Sequence, residues 1–165
     1  MSDVHPLWRA YHQPSDAEIA AARVVSVGPE QVEVVAPDPA WAAAFGRVEA
    51  RIREALGDLA LSVEHVGSTS VPGLWAKPVI DVDLTVPDSA DEAAYVPAME
   101  RAGFVLRGRE PAWEEHRMFR GADPTSNVHV WSPGAVEPQR TAAFRDWLRT
   151  HDDDRTAYAD LKRTL

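Results

Sequence analysis

The sequence contains no cysteine among its 165 residues. This absence excludes disulfide bonds, a thiolate nucleophile and a cysteine-ligated zinc site. The sequence also lacks any apolar run approaching the roughly 20 residues that cross a bilayer. Its first residues do not place an apolar run behind a basic start, which is the pattern of a secretory signal. We therefore expect a cytoplasmic protein with no membrane partner.

Positive charge is the scarcer sign. Seventeen Lys and Arg residues face 26 Asp and Glu residues, for a net charge of −9. A nucleic acid polyanion meets overall repulsion from such a chain, so we expect no bulk nucleic acid binding. A small anionic ligand that arrives with its own metal is compatible with this charge. The apolar fraction of 45% and the charged fraction of 26% are ordinary for a globular domain.

The N-terminal residues 1–30 differ in character from the rest and are predicted to be an appendage with a short helix. Trp8 and Tyr11 lie among polar residues there, and Ser15 and Asp16 can cap a helix that runs to Arg23. The aromatic pair can pack on the domain or on a partner chain. We therefore keep a homodimer through the appendage as a hypothesis, with residues 31–165 as the main domain.

Hydrophobic periodicity in the main domain predicts an α+β fold with a mixed β-sheet flanked by helices. Asp38 and Pro39 are expected to open a helix with a single apolar stripe, which consists of Trp41, Phe45, Val48, Ile52 and Leu56. Apolar alternation predicts strands at residues 31–36, 59–64, 79–86, 104–107, 116–120 and 127–131. Further helices are expected at residues 88–102, from 138 and from 152. In the helix from 138 the residues expected to face inward are Phe144, Trp147 and Leu148.

One strand carries two aspartates on the same face. The segment from Glu64 to Val86 reads EHVGSTSVPGLWAKPVIDVDLTV. Because side chains alternate along a strand, Asp81 and Asp83 point to the same side. Two such carboxylates repel each other, and a shared Mg²⁺ removes that penalty. The alternative is a surface strand whose polar side faces water.

A Gly-Ser turn precedes these aspartates. Gly67 and Ser68 follow a predicted strand and precede a predicted helix start, where backbone N–H groups and hydroxyls can hold a phosphate. A simple tight turn with a serine cap is the alternative. The spacing from Gly67 to Gly73 is too long for a Walker A loop, and Lys77 does not follow the second glycine. A P-loop kinase or ATPase is therefore disfavoured.

The run from Glu64 to Val86 resembles the signature of the GrpB family, of the UPF0157 type, within the nucleotidyltransferase-like superfamily. The resemblance continues through RMFR from Arg117, NVHV from Asn127 and FRDWLR from Phe144, and it covers roughly residues 32–165. It implies a mixed sheet with helices packed on it. Related domains occur fused to bacterial dephospho-coenzyme A kinases, which implies a role in nucleotide or cofactor metabolism.

The resemblance also implies a site. Gly67 and Ser68 would hold the phosphates, while Asp81 and Asp83 would hold Mg²⁺ and so lower the pKa of an attacking hydroxyl. The implied activity is transfer of a nucleotidyl group to a small molecule or a protein. The superfamily takes a third carboxylate from a later strand, but that strand carries Asn127 and His129 and no acid. A non-catalytic nucleotide-binding or accessory domain is therefore the alternative.

The candidate residues form two sets. The catalytic set is Asp81, Asp83 and His129, and within it Asp81 and Asp83 are the expected ligands of the cofactor Mg²⁺. The phosphate-binding set is Gly67, Ser68, Thr69, Lys77 and Arg117. Lys77 is equally compatible with a plain surface lysine. Strand alternation allows at most one of Arg117 and Arg120 to face the site together with His116. His65 is expected to orient the turn by hydrogen bonding, and Arg145 to meet Asp81, a phosphate or a surface carboxylate.

Overall fold

The computed structural model describes residues 5–8, 10, 13–25 and 33–164. Within them the helices are α1 (Asp16–Ala22), α2 (Ala40–Leu56), α3 (Glu92–Arg101), α4 (Glu137–Thr150) and α5 (Asp152–Arg163). The strands are β1 (Ser62–Val66), β2 (Ile80–Thr85), β3 (Phe104–Glu110), β4 (His116–Ala122) and β5 (Thr125–Trp131). Short 3₁₀ turns occupy Gly57–Leu59 and Ser68–Ser70. None of these helices combines the length and the apolar character that crossing a membrane requires.

The five strands form one mixed sheet in the order β1-β2-β5-β4-β3. The central pair, β2 and β5, is parallel, and the other three pairs are antiparallel. Helices pack on this sheet, so the expected α+β class with a mixed, helix-flanked sheet is confirmed. The parallel pairing sets Asp81 beside Asn127 and Asp83 beside His129. It therefore brings together two segments that are distant in the sequence.

One face of the sheet carries the main core, which α2 and α3 cover. The stripe of α2 supplies buried Trp41, Val48, Ile52 and Leu56, as the periodicity predicted. The helix begins where Asp38 Oδ1 accepts the Ala40 N–H (2.8 Å). It ends at Gly57. Burying each large aliphatic side chain contributes about 1.5–3 kcal/mol, so this stripe holds α2 on the sheet.

The other face is covered at the β1 side by α4 and α5. A small second core lies there and contains Val71, Leu74, Leu148 and Ala159. Of the three α4 residues expected to face inward, only Leu148 does. Phe144 and Trp147 are 50% and 49% exposed, because they pack sideways against residues of α5 and the α4–α5 corner rather than against the sheet.

Two further expectations differ from the structure. Residues 33–36 form no strand, and Val35 makes only an isolated bridge to Ala76; residues 31 and 32 lie outside the described part. Helix α3 begins at Glu92 and keeps Pro97 within a single helix. The residues from Asp88 to Asp91 are instead a turn, in which Asp88 Oδ1 accepts the Ala90 N–H (2.9 Å).

The N-terminal appendage contacts the edge of the sheet. Ser15 caps α1, as the sequence predicted, and forms a capping box with Glu18. Arg23 bridges to Gly108, and the Val24 N–H donates to the Arg107 carbonyl (2.9 Å), so α1 is tied to β3. Trp8 is exposed, and Tyr11 lies outside the described residues. The homodimer and the domain boundary stay predictions.

Candidate functional site

The floor of the candidate site is a square of four polar side chains at the centre of the sheet. Asp81 and Asp83 project from β2, and their register partners Asn127 and His129 project from β5 on the same face. Ile80, Val82 and Leu84 point into the main core instead. The alternation of β2 thus places the carboxylates opposite the core, beneath the Gly-Ser turn and α4. We call this region the acidic cleft.

The Gly-Ser turn lies directly on Asp81. Gly67 adopts φ 68° and ψ −173°, a region that is essentially restricted to glycine. A Cβ at this position would overlap Asp81 Oδ2 and lie only 2.9 Å from Asp81 Cβ. A glycine is therefore required for two reasons, its backbone conformation and the close approach of the turn to the carboxylate.

Asp81 is held by a ladder of hydrogen bonds across the sheet. Asn127 Nδ2 donates to Asp81 Oδ1 (2.9 Å), and Arg120 Nη1 donates to Asn127 Oδ1 (2.7 Å). Burial raises the pKa of Asp81, while the Asn127 hydrogen bond opposes that rise. Asn127 therefore supplies an amide, and no acid, beside Asp81, and this amide stabilises the carboxylate.

Asp83 is enclosed more completely. Its side chain is 4% exposed, Trp131 Nε1 donates to Oδ1 (2.9 Å), and the Thr141 hydroxyl donates to Oδ2. Both oxygens thus have donors, one from β5 and one from α4. This arrangement satisfies a buried carboxylate without a metal.

Lys162 is a site residue that the sequence reasoning missed. Its ammonium group donates to Ser68 Oγ and lies 5.1 Å from the centre of the Tyr158 ring. Burial lowers the pKa of Lys162, and attraction to Asp81 opposes that shift. One turn of α5 separates Tyr158 from Lys162, and this i, i+4 spacing was the only local signal. Ser68, Asp81 and Lys162 together form the end of the cleft nearest β1.

Two arginines of α4 fasten the same turn. Arg145 Nη1 donates to the His65 carbonyl (2.9 Å) and to Glu64 Oε2 (3.1 Å), and its Nε donates to Asp146 Oδ1 (2.8 Å). Its carboxylate partners are therefore Glu64 and Asp146 rather than Asp81. Arg149 Nη2 donates to the Ser70 carbonyl (2.7 Å). The guanidinium groups therefore attach α4 to the backbone on both sides of Gly67.

Thr69 faces into the protein, away from the cleft. Its hydroxyl donates to the Val79 carbonyl (3.1 Å) and accepts a hydrogen bond from His65 Nε2 (3.0 Å). His65 stacks on Phe45, and burial, followed by the nearby Arg149 and Arg145, lowers its pKa to about 4. His65 therefore orients the turn as a neutral imidazole, and the Thr69 hydroxyl is not directed toward a phosphate in the cleft.

The sheet separates Arg117 from the cleft. Arg117 is 5% exposed, and its Nε donates to Glu92 Oε1 of α3 (2.6 Å), on the core face. The alternation of β4 turns His116 and Arg120 toward the cleft instead. The expectation that Arg117 contacts a phosphate there is corrected. Lys77 is half-buried in the segment before β2, and its role stays a prediction.

The donor set limits the kind of metal site that fits. Among the described residues no group of three or more His, Asp or Glu side chains is arranged to hold a metal ion. Glu64 lies in register with Asp83 but is paired with Arg145. No described residue donates to Asp81 Oδ2, so this oxygen fits as one ligand of Mg²⁺, whereas each oxygen of Asp83 already accepts a hydrogen bond. A one-carboxylate site completed by ligand phosphates fits this chain better than a two-metal site.

Comparison with known proteins identifies relatives across most of the chain. The family model described as GrpB protein matches residues 31–165. A UPF0157 protein of Halalkalibacterium halodurans is 50% identical over 92% of this chain and 78% of its own length. A UPF0157 protein of Streptomyces coelicolor is 43% identical over 84% of this chain and 73% of its own length.

Two further matches concern a longer protein and a solved structure. A protein of Mycolicibacterium paratuberculosis named dephospho-CoA kinase is 33% identical over 81% of this chain, which corresponds to 39% of that protein. The crystal structure of conserved protein GrpB from Enterococcus faecalis superposes with a TM-score of 0.70 at 31% identity, over 81% of this chain and 82% of that one.

Proposed function

The chain belongs to the GrpB family, and from this premise we propose that its acidic cleft binds a nucleotide or another phosphorylated ligand together with Mg²⁺. The observation that carries the proposal is the meeting of Ser68, Lys162 and Asp81 at one point of the cleft. A cation and a hydroxyl placed together are the groups that bind a phosphate oxygen, and an adjacent carboxylate oxygen is what Mg²⁺ prefers.

Lys162 is the main phosphate-binding group in this proposal. Its half-buried ammonium competes less with water than an exposed lysine does, and the Ser68 hydroxyl can turn from Lys162 to the ligand. Gly67 brings the turn close to Asp81, because no side chain separates the two. The acidic surface of the protein does not oppose such a ligand when Mg²⁺ neutralises part of its charge.

Asp81 would hold the Mg²⁺, and Asp83 would stabilise the site. When bound, the metal would neutralise phosphate charge and polarise the phosphorus centre. The Arg120–Asn127 pair keeps Asp81 pointed into the cleft. The Trp131 and Thr141 donors hold the Asp83 carboxylate in place beneath it, beside the metal position.

Transfer of a nucleotidyl group is the reaction we propose for this cleft, and a non-catalytic accessory domain is the second candidate. The second is favoured by one specific observation, that both oxygens of Asp83 are engaged and Asn127 replaces an acid. The relatives named dephospho-CoA kinase contain a segment similar to this chain within a longer protein. Adenine nucleotides and dephospho-coenzyme A are therefore the first ligands to test.

The proposal is tested by thermal unfolding of the full chain with ATP, or with dephospho-coenzyme A, in the presence and absence of MgCl₂. A ligand at 100 times its Kd adds about 2.7 kcal/mol, and for a chain of this size each kcal/mol raises Tm by about 2–4 °C. We expect a rise of about 5–10 °C that requires Mg²⁺. Asp81→Asn and Lys162→Ala should abolish it.

Arg163→Ala is the matched control. It removes a positive charge one position from Lys162, but the Arg163 guanidinium lies over the Trp75 ring (4.9 Å) rather than on Ser68. The ligand-induced rise should persist in this variant. No rise in the wild type with either ligand would refute the proposal. Pyrophosphate release from ATP that requires Asp81 would then separate the transferase from the accessory domain.

A further inference from the structure

Three side chains on neighbouring strands form a continuous hydrogen-bonded chain that ends in the acidic cleft. Glu110 Oε2 of β3 lies 2.7 Å from His116 Nδ1 of β4. His116 Nε2 lies 3.0 Å from His129 Nδ1 of β5. His129 is in register with Asp83. The row therefore crosses the sheet from its edge strand β3 to the floor of the cleft.

The environment of His116 determines where the ring protons lie. His116 is buried and stacks on the Trp131 ring, with 4.4 Å between the ring centroids. The Trp113 ring also packs against His116, tilted and with 4.8 Å between the centroids. Burial lowers the pKa of His116 to about 3, so this imidazole is neutral and carries one proton. An ionised Glu110 can only accept, which places that proton on Nδ1 and leaves Nε2 as an acceptor.

His129 must then carry its own proton on Nδ1, because it donates to His116 Nε2. In the neutral form of this ring, Nε2 then presents a lone pair. The two nitrogens of an imidazole lie on opposite sides of the ring. Since His116 lies on the β4 side of β5, His129 Nε2 is directed toward the β2 side, where Asp81 and Asp83 project. No described residue hydrogen-bonds to this nitrogen.

We infer that Glu110, His116 and His129 form a proton relay for the acidic cleft, in which His129 Nε2 is the general base and the other two are positioning residues. This inference rests on the proposed function. The attacking hydroxyl of the acceptor forms a bond to phosphorus and loses its proton to His129 Nε2. The bond from phosphorus to the leaving oxygen breaks, and the electron pair departs with pyrophosphate.

The proton then has a path away from the cleft. His129 passes its Nδ1 proton to His116 Nε2, and His116 passes its Nδ1 proton to the Glu110 carboxylate. The Glu110 side chain is 39% exposed, so it can release the proton to water. Burial raises the pKa of Glu110, which favours its protonation at this step. The relay thus supplies a base where Asn127 and His129 replace the third carboxylate.

The test is the protonation pattern of the histidine rings in the full, ¹⁵N-labelled chain, measured by long-range ¹H–¹⁵N NMR. His129 should be protonated at Nδ1 and not at Nε2. His65 is the internal reference, because its Nε2 donates to Thr69 and it must show the opposite tautomer. Glu110→Gln retains an acceptor oxygen and should keep the His129 tautomer, whereas Glu110→Ala should yield a mixture of tautomers.

A second measurement separates positioning from proton transfer. Glu110→Gln should slow pyrophosphate release from ATP by about tenfold although the tautomer is retained, as expected for the loss of an outer partner. His129→Ala should slow it by about 100-fold. Glu49→Ala is the control, because it removes a half-buried carboxylate that pairs with Arg53 on α2, and it should change neither measurement.

The outcomes are distinguishable from those of the proposed function. A wild-type His129 protonated at Nε2, or a tautomer that Glu110→Ala leaves unchanged, overturns the relay. A full rate in Glu110→Gln overturns its role in proton transfer. If the chain binds no ATP but His129 has the expected tautomer, the proposed ligand is refuted and the hydrogen-bonded relay is still supported.

Discussion

Gly67 is the most exacting position of the cleft, and its replacement by alanine tests the whole arrangement. In Gly67→Ala, the backbone conformation at φ 68° and ψ −173° costs about 1–3 kcal/mol for a residue with a side chain. The new Cβ would also overlap Asp81 Oδ2 and lie 2.9 Å from Asp81 Cβ. Overpacking of this kind costs about 1–3 kcal/mol. We therefore expect a loss of about 2–6 kcal/mol in the free energy of unfolding.

Equilibrium urea unfolding of the wild type and four variants measures this loss and assigns its cause. Gly73→Ala is the first control, because Gly73 also has a positive φ of 79° but a Cβ there meets nothing within 4 Å. It should lose only the backbone term, about 1–2 kcal/mol. The other chains are Gly67→Ala, Asp81→Ala and the double variant.

The double variant isolates the contact between the turn and the carboxylate. Asp81→Ala removes Oδ2, the atom that the new Cβ overlaps, and Cγ, which it approaches at 3.0 Å, but keeps the Asp81 Cβ at 2.9 Å, so it relieves part of the overlap. The two substitutions should therefore be non-additive by at least about 1 kcal/mol, with the double variant more stable than the sum predicts. Additivity within about 0.5 kcal/mol would refute the reasoning, because it would mean that the turn does not press on Asp81.

Three further predictions concern the surroundings of the cleft. Thr141→Val leaves buried Asp83 with one donor fewer and should lower the free energy of unfolding by about 1–3 kcal/mol in urea titrations. Thr141→Ser keeps the hydroxyl and should retain most of this stability. Equal losses of stability in the two variants would contradict the contact between Thr141 and Asp83. Leu148→Ala should lower the free energy of unfolding, measured in urea, by about 2–5 kcal/mol. Phe144→Ala, on the exposed face of α4, should lower it by less than half as much. A larger loss for Phe144→Ala would mean that α4 packs by its other face. His65 has a pKa lowered from 6.5 to about 4, so the folded state favours its neutral form. Its contribution to stability is present above pH 6.5 and is lost as the pH falls from 6.5 toward 4. Across this range the urea midpoint should fall more steeply with decreasing pH for the wild type than for His65→Gln. Parallel curves for the two chains would argue against a neutral, buried His65.

Features that depend on local periodicity were predictable from the sequence. The α2 stripe follows from a helical repeat, and the shared face of Asp81 and Asp83 follows from the two-residue period of a strand. The Gly-Ser turn followed by these aspartates also indicated the family, which the comparisons confirmed. In each case the residues concerned lie within a single element or its adjoining turn, so short-range geometry alone relates them.

The sequence predicted side-chain orientation wrongly where a small shift of a strand or helix moves a residue from one face to the other. Arg117 and Arg120 have opposite orientations, and the choice between them depends on the pairing register of β4 with β5, since a shift of one residue moves every side chain to the other face. Phe144 and Leu148 both belong to the apolar side of α4. Only the position of α5 determines which of them is buried, because a helix can turn either part of a broad stripe toward its neighbour.

The sequence by itself determined the family, the class of the fold and the two carboxylates on β2. Only the tertiary structure brought Lys162 to Ser68, across a separation of 94 residues, and placed His116 between Glu110 and His129. These contacts depend on the strand order β1-β2-β5-β4-β3 and on the packing of α5 against the Gly-Ser turn. Neither is encoded in a local pattern, because the side chains that meet belong to elements whose pairing is decided by burial of the whole core.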